Sequence, residues 1–255
     1  MTSLHHLDEG QGIPLLCIHA FPLDGRMWKP QMDALKDVYR FLVPDLRGFG
    51  QSLGLPPALT LDHHADDLAA LLDAKGIPRA AVMGLSMGGY IALALARKFP
   101  GKVSALVLAD TRSTADSDEQ KAGREKSIAT ARSPHGPATL TEGMLPKLLH
   151  EAAPAALVEQ VRGLGAGQAA DGVANALAAM RDRPDQTAVL AGWSAPVLCI
   201  VGEFDVVTPP DDARKMALAT HQGLLVTLLN AAHLSNLEQP QAFNDALRFF
   251  SAGLR

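Results

Sequence analysis

The run from Ala80 to Ile91 constrains the fold of this chain more than any other. Ala80-Ala81-Val82-Met83-Gly84-Leu85 is short and wholly apolar, the pattern of a strand buried on both faces. Ser86 follows at once, and Gly88–Phe99 reads as a helix closed by Pro100. Gly84-Leu85-Ser86-Met87-Gly88 fits G-x-S-x-G. A strand followed so closely by a helix needs a sharp turn, and that turn holds its serine in a strained backbone conformation. A Cβ at either flanking glycine would press on neighbouring backbone. The hydroxyl of Ser86 is then expected at the tip of the strand, beside helix N–H groups that have no intrahelical acceptor and carry partial positive charge. A serine held there is set to attack a carbonyl.

The same alternation extends along the chain. Leu15–Ala20, Phe41–Pro44, Val103–Ala109, Pro196–Val201 and Leu224–Leu229 also read as strands, with helical patterns between most of them. Asp62–Lys75 sets Ala65, Leu68, Ala69, Leu71 and Leu72 on one side, and Gln241–Phe250 is a final amphipathic helix. This rhythm predicts an α/β fold with a mostly parallel sheet of about seven or eight strands covered by helices on both faces. Ligands of such sheets sit at the C-terminal ends of the strands. Thr111–Gly192 breaks the rhythm: Ser117–Arg132, Leu140–His150, Pro154–Leu164 and Gly167–Arg181 read as four helices. The expected organisation is a core from residues 1–111 and 192–255, with a helical cap, 112–191, inserted between two strands.

The 255 residues suffice for a substantial single core. A formal net charge of -4 leaves no basic surplus for nucleic acid or an anionic membrane surface. Cys17 and Cys199 lie inside apolar strand runs, as buried reduced thiols, and no metal-ligand spacing of cysteine and histidine is present. Ala80–Ala96 is 17 residues without a charge, but it is short for a bilayer and interrupted by glycines and a serine. The N-terminus lacks a basic start and an apolar core, so a cytoplasmic location is expected.

An attacking serine needs a base. Of nine histidines, His233 alone sits in a loop just after the last strand, Asn230–Gln239. An unperturbed imidazole titrates near about 6.5 and can take and return a proton at neutral pH, so activity is expected to rise as the base deprotonates. His5, His6, His63, His64, His135, His150 and His221 read as surface or capping residues. The base needs a carboxylate to orient it. Asp205 stands just past the strand ending at Gly202, with Glu203 as a weaker candidate. An oxyanion needs two N–H donors; one is the amide of Met87, and the other is expected from Phe21 in the loop His19-Ala20-Phe21-Pro22.

On these residues the chain resembles the α/β-hydrolase-fold serine hydrolases of the carboxylesterase and 3-oxoadipate enol-lactonase type. The resemblance rests on His19-Ala20-Phe21-Pro22, Trp28, Asp45-Leu46-Arg47-Gly48-Phe49-Gly50-Gln51-Ser52, the Ser86 elbow, Gly202-Glu203-Phe204-Asp205, Ala232-His233 and Glu238-Gln239-Pro240. It implies catalytic Ser86, Asp205 and His233, in that chain order. Some members draw the acid from the preceding strand, which makes Asp110 the competing carboxylate. The family usually has glycine where this chain has Ala20, and the usual N-terminal hairpin is shortened here to one strand near Leu4–Leu7. A serine in the elbow implies hydrolysis of a small carboxylic ester or lactone through an acyl-enzyme, with no metal and no organic cofactor. A carbon–carbon bond or thioester hydrolase on the same residues, or a small-molecule receptor on a hydrolase fold, are the alternatives. Met144, Leu145 and Trp193 are candidates for the pocket wall, and the cap helices offer a surface on which a homodimer can form.

Overall fold

The computed structural model describes residues 4–52 and 60–254. In chain order it contains β1 (His6–Gly10), β2 (Ile13–Ile18), α1 (Lys29–Leu35), β3 (Tyr39–Pro44), α2 (Leu61–Ala74), β4 (Ala80–Leu85), α3 (Met87–Lys98) and β5 (Val103–Ala109). Five helices follow: α4 (Asp118–Ala131), α5 (Gly136–Leu148), α6 (Ala155–Ala166), α7 (Ala170–Arg181) and α8 (Thr187–Ala191). The chain then returns to the sheet with β6 (Val197–Gly202), α9 (Pro210–Leu218), β7 (Gly223–Leu228), α10 (Ser235–Glu238) and α11 (Pro240–Ser251).

The strands form one seven-stranded sheet in the order β1-β3-β2-β4-β5-β6-β7, parallel except for β1. The N-terminal edge is thus a single antiparallel strand, His6 facing Pro44 and Gly10 facing Arg40. Side chains alternate along each strand between two cores. Leu16, Ile18, Val82, Leu106, Leu108 and Cys199 face α2 and α3, while Leu15, Cys17, Met83, Val107, Leu198 and Ile200 face the α1 and α11 side. Both faces are covered, so the central strands read as continuous apolar runs. Both cysteines are free and buried, and burial pushes the Cys199 thiol up to about 12. Among the described residues, no helix is long and apolar enough to cross a membrane.

α11 shows how a face is closed. Phe243, Leu247 and Phe250 are buried, Phe243 lies 6.2 Å from Trp28 between ring centroids, and the Tyr39 hydroxyl donates to the Leu247 carbonyl at 2.8 Å. The insertion between β5 and β6 is tied to the core by polar contacts as well. Arg183 pairs with Asp116 at 2.6 Å and lies 4.0 Å over the Tyr90 ring of α3. Gln168 reaches the Gly50 amide and the Asp24 carboxylate.

One histidine departs from the sequence reading. His64 is not a solvated or capping residue: it lies on the inner face of α2, 1% exposed, next to an exposed His63. Thr60 caps the helix instead, accepting from the His63 amide. Burial, aided by the positive charge of Arg47, lowers the His64 imidazole to about 3. The unfolded chain binds a proton near pH 6.5 that the folded chain refuses, so this histidine costs stability as pH falls from 6.5 toward 3. Chemical denaturation at pH 7 and pH 4 is expected to show a drop smaller by about 3 kcal/mol in His64→Leu than in the parent. Equal drops in both proteins would refute this.

Candidate active site

Three side chains from the ends of different strands meet at the C-terminal edge of the sheet. Ser86 leaves β4 with φ 56° and ψ -115°, in the left-handed half of backbone space that a side chain rarely occupies. The turn is held by its glycines: a Cβ on Gly84 would run into the Gly88 carbonyl, and one on Gly88 into the Ile18 carbonyl. The Ser86 amide donates to the Ala109 carbonyl at 3.0 Å and the Thr111 hydroxyl to the Ser86 carbonyl at 2.8 Å, pinning the turn to the end of β5. Met87 begins α3, so its N–H is among those without an intrahelical acceptor.

His233 follows β7 and is 1% exposed. Its Nε2 is 2.8 Å from Ser86 Oγ and its Nδ1 is 2.8 Å from Asp205 Oδ2. Asp205 follows β6 and is fixed from the other side. Its Oδ1 accepts from the amides of Val207 and Thr208 at 2.8 and 2.9 Å, and its Oδ2 accepts from the Thr208 hydroxyl at 2.7 Å. Burial alone would raise this carboxyl, but the His233 charge and these hydrogen bonds outweigh it and hold the group below the usual carboxylate range. A hydroxyl, an imidazole and an ionised carboxylate therefore stand in hydrogen-bonding series. With the carboxylate on Nδ1, Nε2 is free to accept the serine proton.

The competing acids are elsewhere. Asp110 is fully buried at the end of β5, where Oδ1 accepts from the Gly202 amide at 2.8 Å and Oδ2 from the Ser235 hydroxyl at 2.5 Å. Burial, then the charge of Asp205, push its carboxyl well above the ordinary value. Glu203 accepts from the Asn230 amide at 3.3 Å, at the surface. Thr208 is the site residue that sequence reasoning missed. The signal was present: Asp205-Val206-Val207-Thr208 is the pattern of an aspartate that folds back on amides two and three residues on.

Phe21 stands in the loop after β2, packed edge-on against Phe49 at 6.5 Å. His19 shapes that loop, with Nδ1 on the Ala20 carbonyl at 3.0 Å and Nε2 accepting from the Leu46 amide at 3.1 Å. Burial lowers the His19 imidazole, so it is a neutral strut. The loop's Ala20 is completely buried, and its amide is 3.1 Å from Met27 Sδ. A cavity of about 310 Å³ lies between the core residues Phe21, Tyr90 and Val207 and the insertion, whose Met144 and Leu177 line it together with the charged Asp116 and Arg124; the triad side chains stand outside its wall. Met144 is thus on the cavity wall. Leu145 and Trp193 are not: Leu145 packs inward with Leu148, Val161 and Leu164, and Trp193 is a core residue, 8% exposed. Successive helix residues point about 100° apart, and here that turns Leu145 toward the core while Met144 faces the cavity. Among the described residues, no group of three or more His, Cys, Asp or Glu is placed to hold a metal ion.

Comparison with known proteins agrees with this architecture. The sequence pattern of the alpha/beta hydrolase fold family matches residues 13–142. A thermophilic esterase from Thermogutta terrifontis superposes with a TM-score of 0.94 at 39% identity, covering 98% of this chain and 93% of that one. The 3-oxoadipate enol-lactonase 2 of Acinetobacter baylyi is 31% identical over 87% of this chain and 82% of its own. BpoC of Mycobacterium tuberculosis, named as a putative non-heme bromoperoxidase, is 32% identical over 99% of both chains. With the fold, the strained serine turn and these relatives in agreement, the chain belongs to the alpha/beta hydrolase fold family and is a hydrolase.

Proposed function

We propose that this hydrolase cleaves small carboxylic esters or lactones through an acyl-enzyme on Ser86. The observation that carries the reading is the unbroken series Ser86 Oγ, His233 Nε2, His233 Nδ1, Asp205 Oδ2, with 2.8 Å at each hydrogen bond. Ser86 Oγ attacks the carbonyl carbon while His233 Nε2 takes its proton. The N–H groups of Met87 and Phe21 are the proposed donors to the oxyanion, each worth about 2.7–4 kcal/mol in the transition state. Collapse of the tetrahedral intermediate breaks the carbon–oxygen bond, and the proton on His233 leaves with the alcohol. In a lactone that alcohol remains attached to the acyl group. Water then gives its proton to His233, attacks the acyl carbon and releases the acid, which restores the serine hydroxyl.

Residues 112–191 act in this reading as a cap over a core made by 1–111 and 192–255. The cavity beneath it is small and partly apolar, which suits short acyl or aromatic groups. The esterase and enol-lactonase relatives support the same substrate class. A panel of p-nitrophenyl esters, lactones and enol-lactones, run against Ser86→Ala as the blank, tests it. A fluorophosphonate is expected to label Ser86 in the parent, to label His233→Ala far more slowly, and not to label Ser86→Ala. Equal labelling of all three would refute the proposal.

A further inference from the structure

The backbone of His233 is held on both sides, and both holds lead to one short stretch of the insertion. The amide before it, that of Ala232, donates to Glu238 Oε2 at 2.7 Å. The amide after it, that of Leu234, donates to the Leu148 carbonyl at 3.0 Å. The other oxygen of Glu238, Oε1, accepts from the His150 amide at 2.6 Å. Leu148 is the last residue of α5, and His150 lies two residues beyond it. One carboxylate therefore bridges the loop that carries the imidazole to the end of an insertion helix.

This brace answers a mechanical problem. β7, which delivers the loop, is the edge of the sheet and pairs only with β6. Leu229 and Asn230, which lead into the loop, are exposed, and Asn230 turns the chain with φ 56°. The base nevertheless has to sit within hydrogen-bond reach of Ser86, where a displacement of about 1 Å can cost on the order of a hundredfold in rate. The location is also a demanding one for a carboxylate. Burial, assisted by the charge of Asp205, raises the Glu238 carboxyl, while the His150 and Ala232 amides and the His150 side chain pull the other way. Asp110, the remaining acid that feels Glu238, is itself raised by burial. Among the described residues no hydrogen bond joins Glu238 to Ser86, Asp205 or the His233 ring, so its influence on them runs through backbone.

We propose that Glu238 is a positioning residue for the general base. Its carboxylate, together with the Leu234–Leu148 hydrogen bond, makes the end of α5 the anchor that keeps the His233 imidazole aimed at Ser86 Oγ. The proposal rests on His233 serving as the base.

The test uses the full-length chain and a p-nitrophenyl ester that it turns over. In Glu238→Gln the side-chain amide can accept from only one of the two backbone N–H groups and meets the other with its own donors. Loss of one such charge-assisted bond is expected to lower kcat about tenfold with KM within about twofold. Glu238→Ala, which loses both, is expected to fall further. Fluorophosphonate labelling of Ser86 should slow in the same ratio as kcat. The low-field proton signal of the His233–Asp205 hydrogen bond should broaden in both variants. Gln239→Ala removes a neighbouring loop contact, the side-chain bond to the Asn230 carbonyl, and is expected to stay within twofold of the parent. Assays are run at a temperature where circular dichroism shows each variant folded; if the alanine variant does not fold, the near-isosteric glutamine variant carries the comparison. A folded Glu238→Gln with parental kcat overturns the proposal, as does an equal loss in Gln239→Ala or a rise in KM alone. Ser86→Ala separates the two levels: activity surviving in it overturns the triad reading, whereas an overturned brace leaves activity dependent on Ser86.

Discussion

Ser86→Ala is expected to lower kcat by a factor on the order of 10⁵–10⁶ on any ester the parent hydrolyses, with the fold intact. The loss is large because covalent catalysis disappears entirely, and His233 and Asp205 then have no nucleophile to serve. What remains is the part supplied by oxyanion donors and substrate binding, about 10³–10⁴ over water. Structural damage is not expected: the serine hydroxyl is hydrogen-bonded to His233, and alanine fits the same turn. Progress curves at high enzyme concentration, with circular dichroism as the folding control, measure the effect. Parental turnover in this variant would remove Ser86 from the mechanism.

The second large effect separates the two buried aspartates. Asp205→Asn is expected to lower kcat by about 10⁴. Its side-chain amide can donate to His233 Nδ1, which stabilises the tautomer with the proton on Nε2 and leaves no lone pair for the serine proton. Asp110→Asn is expected to stay within about threefold. Burial raises the Asp110 carboxyl and so favours an uncharged group there, and an asparagine keeps the contacts: its carbonyl accepts from Gly202, and its amide meets the Ser235 hydroxyl, which can turn to accept. Steady-state kinetics of the pair decide the matter. A loss in Asp110→Asn matching that in Asp205→Asn would show that both carboxylates serve the histidine.

Much of the core was legible because a parallel strand covered on both faces must be apolar at every position. Phe41–Pro44, Ala80–Leu85, Val103–Ala109 and Val197–Gly202 therefore announce themselves by composition alone. The candidate site was legible for a related reason. Residues immediately beyond such strands cluster at one edge of the sheet, so Ser86, Asp205 and His233 were placed near one another by strand order before any contact was known. Short helices were less legible. α8 and α10 are too brief to show a period of 3.6, and α9 was not read at all, although Pro210 and the acidic Asp211 and Asp212 mark its start. The insertion was recognised as helical, but its facing was not. Neighbouring residues such as His63 and His64, or Met144 and Leu145, part company across a helix, and nothing local says which of them turns inward. Glu238 was visible only as a letter in a family pattern, since its partners lie in backbone that composition does not reveal.

The placement of the imidazole after the last strand has a consequence for how the protein fails. A border strand loosens before the interior of a sheet does, because half of its ladder is missing. Warming should accordingly disconnect the base from the serine while the central strands β2, β4 and β5, paired on both edges, still hold together. Catalytic competence is then the first property to go, and a spectroscopically intact sample can already be inert.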